Sequence, residues 1–440
     1  MPLSIPVAPF QGDADLPKQT EVVVIGGGIV GVMTALTLAE RGIPVVLCEK
    51  GVIGGEQSAR NWGWVRQLGR DAAEIPLAIA SRDLWRGMNA RVGAETGFRE
   101  TGISYLCYDR TDLETWGAWH AKGAAAGVEA EMLDAKQAQA LLPGAQPGLL
   151  GALHCASDGR AEPWIATTAM AEAARRAGAR ILTGCAVRTV ETAAGRVSGV
   201  VTERGAIACS QVVLAGGVWS RLFAGNLGID FPQLRVIGTV ARVTGVSGLS
   251  DMPVGASHFA YRKRLDGDYS IALRNANITP ILPDNFRLMG EYLPSLVTAW
   301  RELRLRIGPD FVQELRMPRH WTGDAPTPFE RIRTLDPAPT RPFIRKALEN
   351  LRQAFPAFAQ ARVVQEWAGV MDVTPDAVPV AGPIASLPGF FIASGCSGHG
   401  FGIGPAMGQL TADLITGATP IVDPAPFSIA RLRPKLAQAA

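Results

Sequence analysis

The sequence predicts an α/β fold organised around a dinucleotide-binding unit, and three observations predict it. Glu21 to Gly31 reads EVVVIGGGIVG and runs straight into VMTALTLAERG, a strand, a glycine turn and a helix in succession. The turn has G-x-G-x-x-G spacing on Gly26, Gly28 and Gly31, which suits a tight turn, close approach of a pyrophosphate and close helix–strand packing. The helix that follows turns its free N–H groups and positive dipole end toward such a phosphate. A second strand, IPVVLCE, ends in Glu49, 23 residues after Gly26. A carboxylate there accepts hydrogen bonds from a ribose 2′-hydroxyl and repels a 2′-phosphate, so NADP is disfavoured. Finally, 440 residues are enough for two or three domains, or for one large α/β unit with an inserted partner.

The elements follow in order. Residues 1–20 read as a loose arm. Gly51 to Asp71, GVIGGEQSARNWGWVRQLGRD, is too rich in Gly, Arg and Trp for a regular element and reads as a functional loop. A helix is predicted over 72–95, a strand in ETGISYLCYD, and helices over 113–127 and 135–142. Glu162-Pro163 opens a helix over 161–178, because Pro is tolerated in a first turn where its missing N–H costs nothing. Short strands then turn at Ala193-Ala194-Gly195 and end in the apolar run Val212 to Gly217, with Trp219 and Ser220 opening a helix. Residues 234–280 are β-rich, with a hairpin at Leu265-Asp266-Gly267-Asp268. Residues 281–360 read as helical, and Arg301, Arg304 and Arg306 as a solvated helix face. Gly389 to Gly417 repeats the strand, glycine loop and helix pattern, with the helix predicted from Pro405 to Thr416. It lacks the G-x-G-x-x-G register, so it is no second nucleotide site.

Composition narrows the function. Hydrophobic residues make up 47% and charged residues 19%, and the formal net charge is +3. That is an ordinary globular chain with no basic footprint for nucleic acid. The six cysteines are scattered, with no C-x-x-C and no metal-ligand spacing, which predicts buried free thiols, no metal and a cytoplasmic protein. The first twenty residues lack the basic start and apolar core of a signal peptide. The apolar stretch Val22 to Ala39 is broken by its glycines, so no transmembrane segment is expected.

Four motifs in this order carry a family resemblance: VVVIGGGIVG with Glu49, SARNWGWVRQ, VVLAGGVWS, and TPDAVPVAG followed by ASGCSGHGFGIGPAMG. Over essentially its whole length the chain resembles the FAD-dependent D-amino acid oxidase, glycine oxidase and sarcosine oxidase family. The resemblance implies a Rossmann-like FAD domain in three pieces, 1–95, 150–230 and 362–440. It also implies an inserted α+β substrate domain, 96–149 and 231–361, built on an antiparallel sheet. It implies that Gly26, Gly28, Ile29, Val30, Gly31, Glu49 and Lys50 hold the ADP half of FAD, and that Ser58, Arg60 and Asn61 lie along the pyrophosphate and flavin. Val187 would meet the adenine, Gly216 would sit near the phosphates, and Gly369, Gly398, Gly400, Phe401, Gly402 and Ile403 would border the flavin ring. The cysteine to which sarcosine oxidases attach FAD is missing from WAGVMDVTPD, as is the histidine of some relatives from QSARN, so the FAD is expected to be non-covalent. The lysine that follows S-G-H-G-F in sarcosine oxidase is Gly402 here.

Laid over the sarcosine-oxidase loop, Arg66 falls on the arginine that grips the substrate carboxylate, a task suited to a planar bidentate cation. Arg60 and Arg70 share the loop, and any of the three could be a surface ion pair instead. Trp62 and Trp64 either wall a pocket or fill the core. In HFAYRKR, alternation puts Phe259 and Tyr261 on one face and His258 and Arg262 on the other. Tyr261, with His258, is a candidate for the pocket, or Tyr261 is a core tyrosine. For His399 the backbone is expected to matter more than the imidazole.

The implied reaction is oxidation of the C–N bond of a small amino acid or secondary amino acid. Arg66 anchors the carboxylate, hydride passes to flavin N5, and the imine hydrolyses. D-amino acids, D-proline-type rings and opine-like or sarcosine-like acids head the substrate classes. The electron acceptor is oxygen, a quinone or a carrier protein. The alternatives are oxidation of a non-carboxylate amine such as a polyamine derivative, a flavin-binding subunit of a hetero-oligomeric dehydrogenase, and more remotely an RNA-modifying relative. A homo- or hetero-oligomer fits each of these.

Overall fold

The computed structural model describes residues 4–299 and 303–437. Its first sheet is centred on the buried strand Val22–Ile25, with Val45–Cys48 and Arg180–Leu182 on one side and Gln211–Leu214, Phe390–Ser394 and Val380–Pro383 on the other. All neighbours run parallel except the edge pair 380–383 and 390–394. Parallel strands covered on both faces must be apolar throughout, which is why VVVI and VVLC show no alternation.

Helix Ile29–Glu40 leaves the first strand at the glycine turn. Gly26 has φ +114°, and a Cβ at Gly31 would lie 2.1 Å from the Gly26 carbonyl oxygen. Only glycine permits this turn with the helix seated so close to it. The long helix Gly400–Thr416 crosses this one at Gly408, where a Cβ would approach Met33 to 2.6 Å. It begins at Gly400, earlier than predicted, and takes Pro405 inside it. None of the described helices is long and apolar enough to cross a membrane. All six cysteines are buried and free.

The second sheet has ten strands, in the order 303–306, 277–280, 234–244, 269–272, 259–263, 254–256, 103–107, 151–155 and 131–134, with 362–373 also paired to 234–244. Most pairs are antiparallel, but 277–280 with 303–306 and 254–256 with 103–107 are parallel. Strands Gly151–Cys155 and Arg362–Val373 therefore belong to this sheet rather than to the dinucleotide-binding unit. Arg304 and Arg306 lie on strand Leu303–Arg306, not on a helix, and Arg301 falls outside the described residues. The predicted 72–95 helix is two, Ile75–Arg86 and Met88–Val92.

One face of the large sheet is sealed by the amphipathic helix Arg341–Ala354, which buries Ile344, Ala347, Leu348 and Leu351. The other face borders the cavity described below. Residues 4–20 are fastened rather than loose: Ser4 hydrogen-bonds Asp336, Ile5 is buried, and Asp13 accepts from the Ile181 N–H at 2.7 Å.

Candidate active site

Two cavities meet at the junction of the sheets. The first is a long cleft at the carboxyl ends of the parallel strands. Glu49 lies on its wall, accepting from the Gly27 N–H at 2.7 Å and the Gly51 N–H at 2.6 Å. Burial pushes its carboxyl up from the usual carboxylate range, while Lys50 and the two N–H donors oppose that. Gly26, Gly28, Ile29, Val30, Ser58, Asn61, Val187 and Gly216 line the same cleft. The Ser58 hydroxyl accepts from the Ile29 N–H at 2.9 Å, so the loop after the second strand braces the glycine turn.

Gly398, Gly400 and Phe401 close the far end. Helices Ile29–Glu40 and Gly400–Thr416 both start at this cleft, and neither has a side-chain cap on its first turn from the N-cap residue. Two positive helix ends thus serve one cleft.

This donor set fits FAD. A carboxylate stands where an adenosine ribose needs an acceptor, and a glycine-rich helix start, with only its Ile29 N–H taken by a side chain, stands where a pyrophosphate needs N–H groups. At the far end, Gln57 Oε1 is buried without a hydrogen-bond partner among the described residues, on the wall shared by both cavities. A polar ring edge placed there would satisfy it.

Not every expected ligand reaches the cleft with its side chain. Lys50 Nζ donates to Glu56 and to the Ile332 and Arg333 carbonyls, so all three of its protons are engaged. Arg60 is almost fully buried and holds Asp336 and the Gly55 and Ala368 carbonyls, which makes it a brace. Gly31 packs beneath the turn. Gly369 is covered by Gln57, which a Cβ would meet at 2.1 Å. Ile403 is buried in the helix core, and Gly402 borders the second cavity rather than the cleft.

The second cavity, of about 620 Å³, shares Gln57, Asn61, Gly398 and Phe401 with the cleft. One end is cationic. Arg66 and Arg70 come from the loop after the second strand, and Arg274 from the segment just past strand Tyr269–Ala272. The Tyr105 ring organises them: Arg274 stacks at 4.3 Å, Arg66 lies at 5.8 Å, and Trp116 stacks on the ring at 4.2 Å. Asp158 fixes the loop by accepting from the Gln67 N–H at 2.8 Å and its amide at 3.0 Å.

Arg70 is buried, and its Nη1 has no hydrogen-bond partner among the described residues. Burial, with Arg66 nearby, pulls its guanidinium down to about 10, so it stays charged at neutral pH. Three guanidiniums against the two buried carboxylates beside them, Glu74 and Asp158, leave this end net positive. The walls leading away from it are apolar: Trp62, Trp64, Leu234, Val236, Met371, Ile281, Met289 and Leu293. Trp64 serves as both wall and core, since it is nearly buried and packs on Tyr105 at 5.8 Å.

Tyr261 and His258 do not line this cavity. The alternation in HFAYRKR is as read, but the face was misassigned. Phe259 and Tyr261 turn toward the sealing helix, with Tyr261 against Phe355 at 5.3 Å and Phe358 at 5.6 Å. His258 packs edge-on against Phe259 and near Tyr108. The aromatic pair goes where the amphipathic helix supplies an apolar partner. On the other face Arg262 pairs with buried Glu162 at 2.8 Å. Sequence reasoning missed Arg274 and Tyr105. The available signal was an arginine following the apolar strand YSIAL, a lone charge at the end of a buried run.

Residues 21–414 match the family described as FAD dependent oxidoreductase. Among solved structures, the L-amino acid deaminase from Proteus myxofaciens, in complex with anthranilate, superposes with a TM-score of 0.94 at 34% identity, covering 98% of each chain. The L-proline dehydrogenase from P. horikoshii gives 0.77 at 26% identity, covering 97% of this chain and 100% of its own. The glycine oxidase of Pseudomonas putida is 26% identical over 421 residues, 93% of this chain and 98% of its own.

Proposed function

The chain belongs to the FAD-dependent oxidoreductase family, and on that premise we propose that it oxidises the Cα–N bond of an α-amino acid carrying a bulky apolar side chain. The observation that carries this reading is the cationic end of an apolar cavity opening onto the glycine loop of the cofactor cleft. A carboxylate is drawn to Arg66, Arg70 and Arg274, and the side chain lies along Trp62, Trp64, Leu234 and Met371. The substrate is thereby held across the shared wall at Gly398 and Phe401. Bound FAD supplies the hydride acceptor. The protein supplies orientation, and the apolar wall excludes water from the reacting carbon until the imine leaves to be hydrolysed. Helix Gly400–Thr416 starts at the cleft, and its positive end would stabilise negative charge gained by a flavin bound there on reduction.

The L series is favoured over the D series by the whole-length likeness to an L-amino acid deaminase. A polyamine-type substrate is disfavoured, because three guanidiniums repel a polycation. The test is anaerobic mixing of the yellow protein with L- and D-phenylalanine, L-leucine, L-proline, glycine and sarcosine, following flavin bleaching. Bleaching fastest with L-phenylalanine or L-leucine supports the reading. Bleaching by phenethylamine but by no amino acid overturns it.

A further inference from the structure

The glycine loop at the junction of the two cavities carries an imidazole, His399. Its Nδ1 lies 2.8 Å from Oε2 of Glu74, a carboxylate with no exposed surface, 325 residues away in the chain. Arg70 Nε stands 3.7 Å from the other oxygen of Glu74. Burial alone would raise the Glu74 carboxyl, but His399, Arg70 and Arg66 outweigh it and hold it below the usual range, so it is ionised and only accepts. The Nδ1 atom must therefore carry the proton.

Nε2 has no hydrogen-bond partner among the described residues. A fifth of the side chain is exposed, and the residue lines the substrate cavity. The charged groups that act on the ring are Arg66 and Arg70 from the early loop and Glu74, the residue before helix Ile75–Arg86. Burial first, then Arg70, holds the imidazole down to about 4, so it is neutral at pH 7 and Nε2 presents a lone pair.

We propose that His399, fixed by Glu74 in the Nδ1–H tautomer, uses Nε2 to accept a hydrogen bond from the substrate's amino group while the arginines hold its carboxylate. This rests on the amino-acid reading above. The arginines can only donate, so an amino group beside them needs an acceptor from another element, and the glycine loop provides one. The histidine orients the amine and does not deprotonate it. An α-amino group titrates near ~8 in peptides, so proton transfer to an imidazole titrating near 4 is roughly ten-thousand-fold uphill. The ammonium proton leaves to solvent, and the nitrogen keeps its lone pair for the C=N bond. Glu74 is a positioning residue, acting through the ring.

Two measurements on the FAD-loaded protein test this. In spectra of ¹⁵N-histidine-labelled enzyme at pH 7, the signal lost in His399→Gln should show Nδ1 protonated and Nε2 bare. A protonated Nε2 overturns the proposal. In anaerobic flavin-bleaching titrations, His399→Leu should raise the Kd for L-phenylalanine about ten-fold or more, while the Kd for 3-phenylpropanoate, which lacks the amine and is read as a competitor that slows bleaching, should change less than about two-fold. His399→Gln, whose carbonyl can replace Nε2, should recover most of the loss. Equal weakening of both ligands, or none, overturns the amine contact but leaves amino-acid oxidation standing. Failure of every amino acid to bleach the wild type overturns both.

Discussion

Replacing Arg274 by lysine should reduce kcat/KM on the best amino-acid substrate by roughly thirty- to a thousand-fold. The guanidinium lies 4.3 Å above the Tyr105 ring and 5.2 Å from Trp116, so its plane is set by aromatic stacking before any substrate arrives. A lysine keeps the charge but loses both the stacked plane and the paired donors. Hydrogen bonds to charged groups contribute about 1.5–3 kcal/mol each. Losing one of two prongs, together with a stacked cation–aromatic contact of about 0.5–1 kcal/mol, should therefore cost about 2–4 kcal/mol of transition-state binding, at about 1.4 kcal/mol per factor of ten. The assay is kcat/KM on the amino acid and on its decarboxylated amine, with Tm recorded alongside. Loss confined to the amino acid is the expected result. Equal loss on both would refute the carboxylate grip and make Arg274 a brace for Tyr105. If Arg66→Lys shows the selective loss and Arg274→Lys does not, the grip belongs to the early loop.

Four further outcomes follow from the geometry. Acid precipitation should release all yellow colour into the supernatant, because no cysteine precedes the T-P-D motif; colour kept by the pellet would contradict non-covalent binding. Glu49→Ala should weaken FAD retention about ten- to a hundred-fold, measured by equilibrium dialysis, since one charged hydrogen bond is worth about 1.5–3 kcal/mol; an unchanged Kd would make Glu49 structural. Tyr261→Phe should leave kcat/KM within about two-fold, whereas Tyr261→Ala should lose about 3–5 kcal/mol of stability in denaturant melts, because the ring is sealed among Phe355 and Phe358; a kcat drop in the Phe variant would return Tyr261 to the site. His399 has its folded-state pKa depressed to about 4, so the unfolded chain takes up its proton first as pH falls below ~6.5. Stability should therefore decline between about pH 6.5 and 4, by up to roughly 3 kcal/mol, and that slope should flatten in His399→Gln.

Local signals were readable where chemistry forces them. The glycine turn, the apolar parallel strands and Glu49 are all visible because each residue type answers a nearby steric or electrostatic need. The hairpin at Gly267 was legible for the same reason. What depended on distant partners was not. Strand Arg362–Val373 looks as though it should follow the dinucleotide-binding unit, but it pairs along its length with Leu234–Thr244. Tyr261 lay on the correct side of its strand, yet nothing local reveals that helix Arg341–Ala354 covers that side. Arg274 meets Arg66 only because Tyr105, from a third part of the chain, lies between them. The His399 imidazole, set aside in favour of its backbone, finds Glu74 across 325 residues.

The crossing of helix Gly400–Thr416 over helix Ile29–Glu40 at Gly408 has a consequence for biosynthesis. The central strand of the first sheet leaves the ribosome well before its outer parallel neighbour, Phe390–Ser394, and the crossing helix. Contacts that close such long loops form slowly, and an open parallel edge is exposed to aggregation until they do. A nascent chain stalled before residue 390 holds Glu49 and the glycine turn but lacks Gly398, Gly400 and Phe401, so it has only part of the cleft. The complete cleft therefore exists only after residues 398–401 have been made, and from that point on bound FAD would add its full stabilisation to the folded state.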